Sequence, residues 1–186
     1  VVGYNVQVAV DTEHHLIVTH EVTNTGSDRS QLAKVASQAK TVLGADRLDV
    51  VADRGYFNSP EILACAQADI TVTLPKPMTS GAKSEGRFGK QDFAYIAAKD
   101  VYRCPAGERL TYRYSNEEAG KVLRHYWTSA CAACPLKVEC TTGKERRITR
   151  WEHEHVLEAV QERLDRDPDA MRQRRETVEH PFGTTK

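Results

Sequence analysis

No run of about 18 apolar residues occurs in the chain, and without one there is no helix of membrane-spanning length. No charged start followed by a short apolar stretch and a small-residue cleavage site opens it, so no secretory signal is read. Charge of one sign is also missing: 26 Lys and Arg face 26 Asp and Glu. Bulk charge is therefore silent on nucleic acid, and local clusters must carry that question. Internal repeats are absent as well. What remains is a chain of 186 residues, 28% charged and 40% hydrophobic. That is the makeup of one ordinary globular domain, or of a domain with a small insert. The chain opens Val-Val inside a strand pattern rather than on Met, which leads us to expect a truncated piece of a longer protein.

Gly3 to Asp11 (GYNVQVAVD) alternates Tyr4, Val6, Val8 and Val10 with polar or small residues, the period of a half-buried strand. After a turn at TEHH, Leu16 to Thr23 gives its antiparallel partner. Ser27 or Asp28 is placed to cap a helix from about Arg29 to Leu43, ended by Gly44. Leu48 to Asp53 (LDVVAD) reads as a central strand covered on both faces. A helix with Pro60 in its first turn follows, then a strand at Ile70 to Pro75. The order predicts an α/β domain with a mixed sheet. From Lys76 to Gly89 the composition turns polar and Gly/Ser-rich, a linker or exposed loop. Beyond it DVYRCPAGERLTYR predicts a small hairpin. From Ile148 to about Glu179 the chain reads as helical, with a break at Pro168 and a kink or end at Pro181.

Four of the five cysteines fall between Cys104 and Cys140. Cys131 and Cys134 form a Cys-x-x-Cys knuckle, Cys140 follows shortly, and Cys104 stands across a hairpin. Four thiolates so spaced can close a tetrahedral structural zinc site, whose binding supplies folding energy that a polar segment lacks. An iron–sulfur cluster uses the same ligand count, and a redox pair at Cys131 and Cys134 would leave two cysteines idle. Cys65, alone in a helical pattern, is read as packing.

Asp53 ends an apolar strand and is followed by Arg-Gly-Tyr, and chemistry in α/β sheets collects at the carboxyl ends of strands. Glu179 lies in a cationic segment, RRETVEHPFGTTK. Together ADRGYF and this closing stretch resemble the pattern of DDE transposases from bacterial insertion sequences. Asp53, Gly55 and Tyr56 match the family's Asp-x-Gly-Tyr motif, which bears its second acidic residue. Arg175, Glu179 and Lys186 hold the spacing of its Tyr-x2-Arg-x3-Glu-x6-Lys signature, with Arg172 standing where the tyrosine would be. VGYNVQVAVD, HLIVTHEVTN, VVADRGYFNSPEI, DVYRCPAGERL, CPLKVECT and TVEHPFGTTK look in order like the zinc-cysteine-bearing branch of that family, the one numbered eleven-eighty-two.

The resemblance implies a ribonuclease-H-like fold in three parts. Residues 1–75 would be the first part of the catalytic core, without its first strand. Residues 76–147 would be the linker and cysteine-rich insert, with Cys104, Cys131, Cys134 and Cys140 on zinc. Residues 148–186 would be the C-terminal helices with the glutamate. It implies metal-dependent DNA strand cleavage and transfer with Asp53 and Glu179 as catalytic Mg²⁺ ligands, since hard cations prefer carboxylate oxygen. The first aspartate would lie upstream. Asp11 is its nearest rival within the chain, and Asp28 is better explained as a helix cap. Arg146, Arg147, Arg150, Arg175 and Lys186 are the candidate DNA contacts. DNA is the expected partner, with a homodimer assembled on it, in the bacterial cytoplasm and with no membrane. Alone, such a piece is expected to be inactive. The competing reading is a zinc-dependent DNA- or protein-binding module without chemistry.

Overall fold

A computed structural model describes residues 3–77 and 81–183, and of 180–183 the backbone alone. The chain is mixed α/β and forms two units, Val1–Pro77 with His155–Lys186, and Met78–Glu154.

Unit one opens with β1 (Asn5–Val10) and β2 (Ile17–Thr23), paired antiparallel with Val6 opposite Val22 and a bulge at Ala9/Val10. Asp11 closes the hairpin by accepting from the backbone of His14 at 2.8 Å and Glu13 at 3.3 Å. A helix from Arg29 was expected, and the structure corrects it. Ser27 caps a single 3-10 turn, Asp28–Ser30, and α1 runs from Leu32 to Leu43. Its buried stripe is Leu32, Val35, Ala36 and Ala39, spaced for one helix face. Gly44 ends it at φ 60°, where a side chain would be strained.

β3 (Leu48–Val51) lies parallel to β4 (Ile70–Thr73), and α2 (Ser59–Gln67) makes the crossover. Leu32, Ile62, Cys65, Ile70, Val72 and Leu74 form an aliphatic core with Val160, which comes from the C-terminal helices. Cys65 is indeed packing: it is fully buried, and burial pushes its thiol up to about 11.

In unit two, β5 (Ala94–Ile96), β6 (Val101–Arg103), β7 (Arg109–Glu118), β8 (Lys121–Trp127) and β9 (Ile148–Trp151) build one antiparallel sheet in sequence order. The short α3 (Lys137–Cys140) lies between β8 and β9. β7 and β8 are joined by a two-residue turn at Ala119 (φ 49°) and Gly120 (φ 72°), the positive angles that a tight hairpin needs. The core is aromatic: Phe93, Tyr102 and Tyr126 with Leu110 and Ile148. At its edge Asp100 accepts from Tyr126 at 2.7 Å, Tyr95 at 2.8 Å and Arg124 at 2.5 Å. Ile148–Trp151, expected as the start of the helical part, is instead the last strand of this sheet.

The chain then returns to unit one. α4 (Glu154–Arg166) is tied to β4 by Arg163, whose guanidinium donates twice to the Val72 carbonyl, at 2.7 and 3.1 Å. α5 spans Ala170–Gly183, so the helix runs on through Pro181 rather than ending there. Among the described residues no helix is long and apolar enough to cross a membrane.

Candidate functional site

Asp53 stands just past β3, where the strand gives way to a 3-10 turn, Arg54–Tyr56. Its carboxylate serves two neighbours. Oδ1 accepts from the Gly55 backbone at 2.6 Å and so caps the turn, while Oδ2 accepts from Arg174 of α5 at 3.2 Å. With 42% of the Asp53 side chain exposed, the pair is a modest stabiliser, and its interest is positional.

Asp28, read from the sequence as a helix cap, does something else. Ser27 takes the capping role, and Asp28 Oδ1 accepts from Asn5 at 2.6 Å and Gln7 at 2.7 Å, both on β1. Gln7 is buried, and its remaining oxygen accepts from the Tyr56 hydroxyl. Burial, then the charges of Asp28 and Asp53, push that phenol up to about 12. A Cβ added at Gly55 would meet Asp53 Oδ1 at 2.9 Å and Asp28 Oδ2 at 3.5 Å. The glycine is thus what allows the turn to nestle against both carboxylates. Sequence reading missed Asn5, Gln7 and Arg174. The period of β1 puts Asn5 and Gln7 on one face, and two amides two residues apart among valines were the available signal.

Glu179 is exposed on α5. It lies five residues past Arg174, about 7.5 Å along the axis and roughly 140° round it. The helix that meets Asp53 is the one that bears Glu179, but the side chain it brings to Asp53 is Arg174.

Beside Asp53 runs a slot of about 380 Å³. β1 supplies Val6, Val8 and Val10, and β3 supplies every residue from Leu48 to Val51; Ala36 and Ala39 of α1 and Thr177 and Val178 of α5 wall it. Among the described residues β1 is paired only with β2, and β3 only with β4. The slot therefore separates two unpaired strand edges.

The four clustered cysteines of unit two converge. Cys104, Cys131, Cys134 and Cys140 line one cavity of about 20 Å³, closed by Phe88, Phe93, Leu110 and Arg146. All four are free thiols, and burial together with the other three sulfurs pushes Cys140 up, against the pull of Arg146. Among the described residues, no three His, Cys, Asp or Glu stand in metal-holding geometry. The thiols thus share a cavity without being drawn into coordination.

The candidate cations divide. Arg150 is buried at 7%, lies 3.8 Å over the Tyr95 ring and reaches the Tyr102 hydroxyl at 3.3 Å, so the fold withdraws it from any phosphate. Arg146 donates to the Cys140 carbonyl at 3.4 Å and lies 5.4 Å from the Phe93 ring. Arg147 is exposed, shared between Glu145 at 2.9 Å and the Trp127 ring at 4.8 Å. Arg175 is exposed on α5, and Lys186 lies outside the described residues.

One protein family matches part of this frame. A family model described as a transposase DDE domain matches residues 103–186, just under half of the chain, from the end of β6 through α5. The match takes in the four clustered cysteines and Glu179 and leaves Asp53 outside. No curated protein and no solved structure matches the chain.

Proposed function

We propose that this chain is a piece of a DDE transposase catalytic domain and that it contributes Asp53 and Glu179 to metal-dependent DNA strand cleavage and transfer. The observation that carries the reading is the position of Asp53. It stands at the carboxyl end of β3, bonded to the same helix, within the family match, that bears Glu179.

Both groups are carboxylates, the donors a hard divalent cation prefers, and Asp53 Oδ2 already faces a positive guanidinium. Glu179 lies roughly 140° round α5 from Arg174, so sharing one ion would require the helix to turn or shift. Mg²⁺ bound there supplies activation of the attacking oxygen and stabilisation of the leaving one. Asp53 and Glu179 would hold it, Arg174 would be displaced from Asp53 toward phosphate, and Arg175 would steady the backbone beside the scissile bond. Two carboxylates make an incomplete set. In this reading the slot between β1 and β3 takes one more strand, carrying the first acidic residue, and joins the two half-sheets into the mixed sheet of a ribonuclease-H-like core. What supports this is the slot itself, apolar on its walls and bounded by two unpaired edges.

The same reading gives Cys104, Cys131, Cys134 and Cys140 one structural zinc, as in the eleven-eighty-two branch, since four free thiols around one small cavity are the donors such a site uses. DNA contact falls to Arg147, Arg175 and Lys186, with a homodimer on transposon ends in the bacterial cytoplasm.

A strand-cleavage assay tests the whole. The 186-residue chain leaves end-bearing duplex intact in Mg²⁺ or Mn²⁺, and a longer protein with the upstream strand cleaves it. In that protein Asp53→Ala and Glu179→Ala each abolish cleavage. Cleavage by the 186-residue chain itself would overturn the assignment and return Asp11 as first carboxylate.

A further inference from the structure

One face of the unit-two sheet packs on the aromatic core, and the other carries rings and cations of which the proposed function uses only Arg147. We infer that this second face binds single-stranded nucleic acid, with bases stacking on Tyr114 and Trp127 and phosphates meeting Arg113, Arg147 and Lys121.

The register places these groups. Along β8, Tyr126 is fully buried and points into the core, so His125 and Trp127 stand on the opposite face. Tyr114 of β7 is the cross-strand partner of His125 and stacks on it, with ring centroids 4.5 Å apart and planes 10° from parallel. Tyr114 is still 44% exposed, which leaves ring surface for a base. Trp127 follows, edge-on to Tyr114 at 5.9 Å. On β9, Trp151 lies opposite Leu123 and so continues the row.

Cations frame the rings. A bulge between Tyr112 and Tyr114 turns Arg113 onto this face, where its guanidinium lies 5.4 Å from the Trp127 ring and donates to the Trp127 carbonyl at 3.4 Å. Arg147 lies 4.8 Å from that ring, and Lys121 5.6 Å from Trp151. Arg103 and Arg109 face each other further along the same side of the sheet, where among the described residues Glu118 is the only acid at a strand position and Glu145, in the loop before β9, pairs with Arg147 at 2.9 Å. In a chain with zero net charge, this is a concentrated positive surface.

Rings and cations together select the partner. An acidic peptide would use the charges and leave the rings idle, and a duplex keeps its bases stacked on one another. An unpaired strand uses both, because every base offers a π-face and every linkage an anion.

Of the two tryptophans of the chain, Trp127 is half-buried on this face and Trp151 beside it is buried at 6%, so quenching of Trp127 emission reads occupancy. The probe is an oligothymidylate of about 15 nucleotides, titrated into the 186-residue protein without added divalent metal. That condition separates this site from the carboxylates of unit one. Quenching is expected, with binding weakened about tenfold by Tyr114→Ala and kept by Tyr114→Phe. Arg113→Gln with Arg147→Gln should flatten the logarithmic salt slope by about 1.4. A duplex of the same length should quench far less. Absence of quenching, unchanged affinity in Tyr114→Ala, or equal quenching by duplex overturns the proposal.

Discussion

The two units solve the problem of a small core in opposite ways. Unit one packs aliphatic residues between helices and strands, and its core residues Ile62, Ile70 and Leu74 are 2% exposed or less. Yet its strands form two separate pairs, with a slot of about 380 Å³ between them. Unit two has an unbroken sheet but few aliphatic residues, and it relies on rings tied to Asp100 and on a thiol cavity of about 20 Å³. Unit one has burial to spare and a gap in its sheet. Unit two has an unbroken sheet and little burial, so it has the greater need of a ligand.

The largest effect expected from this contrast is on unit two. If zinc sits among the thiols, binding of this kind is worth about 10 kcal/mol or more to folding. Cys134→Ser, or removal of zinc by a chelator, should then unfold unit two and change the emission of Trp127 and Trp151, both of which it contains. Cys65, buried in unit one, should stay protected from a thiol reagent. Elemental analysis giving well under one zinc per chain, with unchanged emission after chelation, would remove the metal from the comparison.

A core truncation tests the other side. Ile62→Ala should cost about 3 kcal/mol, because a branched side chain is lost from a site that cannot fully collapse. Labelling of Cys65, which shares that core, should then accelerate while tryptophan emission holds. If both probes respond together, the units are one cooperative body and the contrast fails.

Much of unit one was legible because its elements obey simple periods. The alternation of Val6, Val8 and Val10 marked β1 as a strand, although its buried residue is Gln7, at 2%, and Val6 is 55% exposed; the apolar stripe of α1 repeats at helical spacing, and Gly44 ends that helix as expected. Unit two was legible at the hairpin expected over DVYRCPAGERLTYR, which is β6 paired with β7, and in the grouping of its four cysteines around one cavity. β5 and β6 have three residues each, too few to show a period, and the bulge at Tyr112/Tyr114 breaks the alternation of β7. Ile148–Trp151 reads as a helix start because one turn of strand and one turn of helix share the same apolar content. In the site, Asp53 was legible from its place after an apolar strand, whereas its link to Arg174 spans 121 residues and no local pattern encodes it. Asp28 was misread because a cap is a local role, and its partners Asn5 and Gln7 are more than twenty residues away.

Enlarging a side chain should have opposite signs in the two units. Ala39 is buried and lines the slot, so Ala39→Leu has room and should stabilise unit one by about 1 kcal/mol. Leu110, 1% exposed in the closed core of unit two, has none, and Leu110→Phe should cost about 1–3 kcal/mol. Denaturant midpoints of the two variants decide it. A destabilising Ala39→Leu would mean that the slot is not open space. In the longer protein proposed above the gain should vanish, because a strand would already fill the slot.

The smallest effects lie in alkaline solution, where phenols report on the carboxylates beside them. Tyr56 is raised from 10.0 to about 12, by burial first and then by Asp28 and Asp53, against the opposing charge of Arg174. Tyr95 and Tyr126 are raised by burial and by their hydrogen bonds to Asp100. Below pH 10 each phenol is protonated whether the chain is folded or not, and its contribution to stability is complete. Above it the unfolded chain releases protons that the folded chain keeps, so stability falls as pH rises toward the folded values. Unit two carries two such phenols and unit one a single one, so unit two should lose more. Spectrophotometric titration of tyrosinate should show these three groups ionising late, and Tyr56→Phe should remove one of them. Asp53→Asn should instead move Tyr56 earlier, toward its ordinary value, because a negative neighbour has been neutralised. If Tyr56 titrates unchanged in Asp53→Asn, the carboxylate at the end of β3 does not face this phenol, and the grouping of Asp28, Asp53 and Tyr56 around Gly55 is wrong.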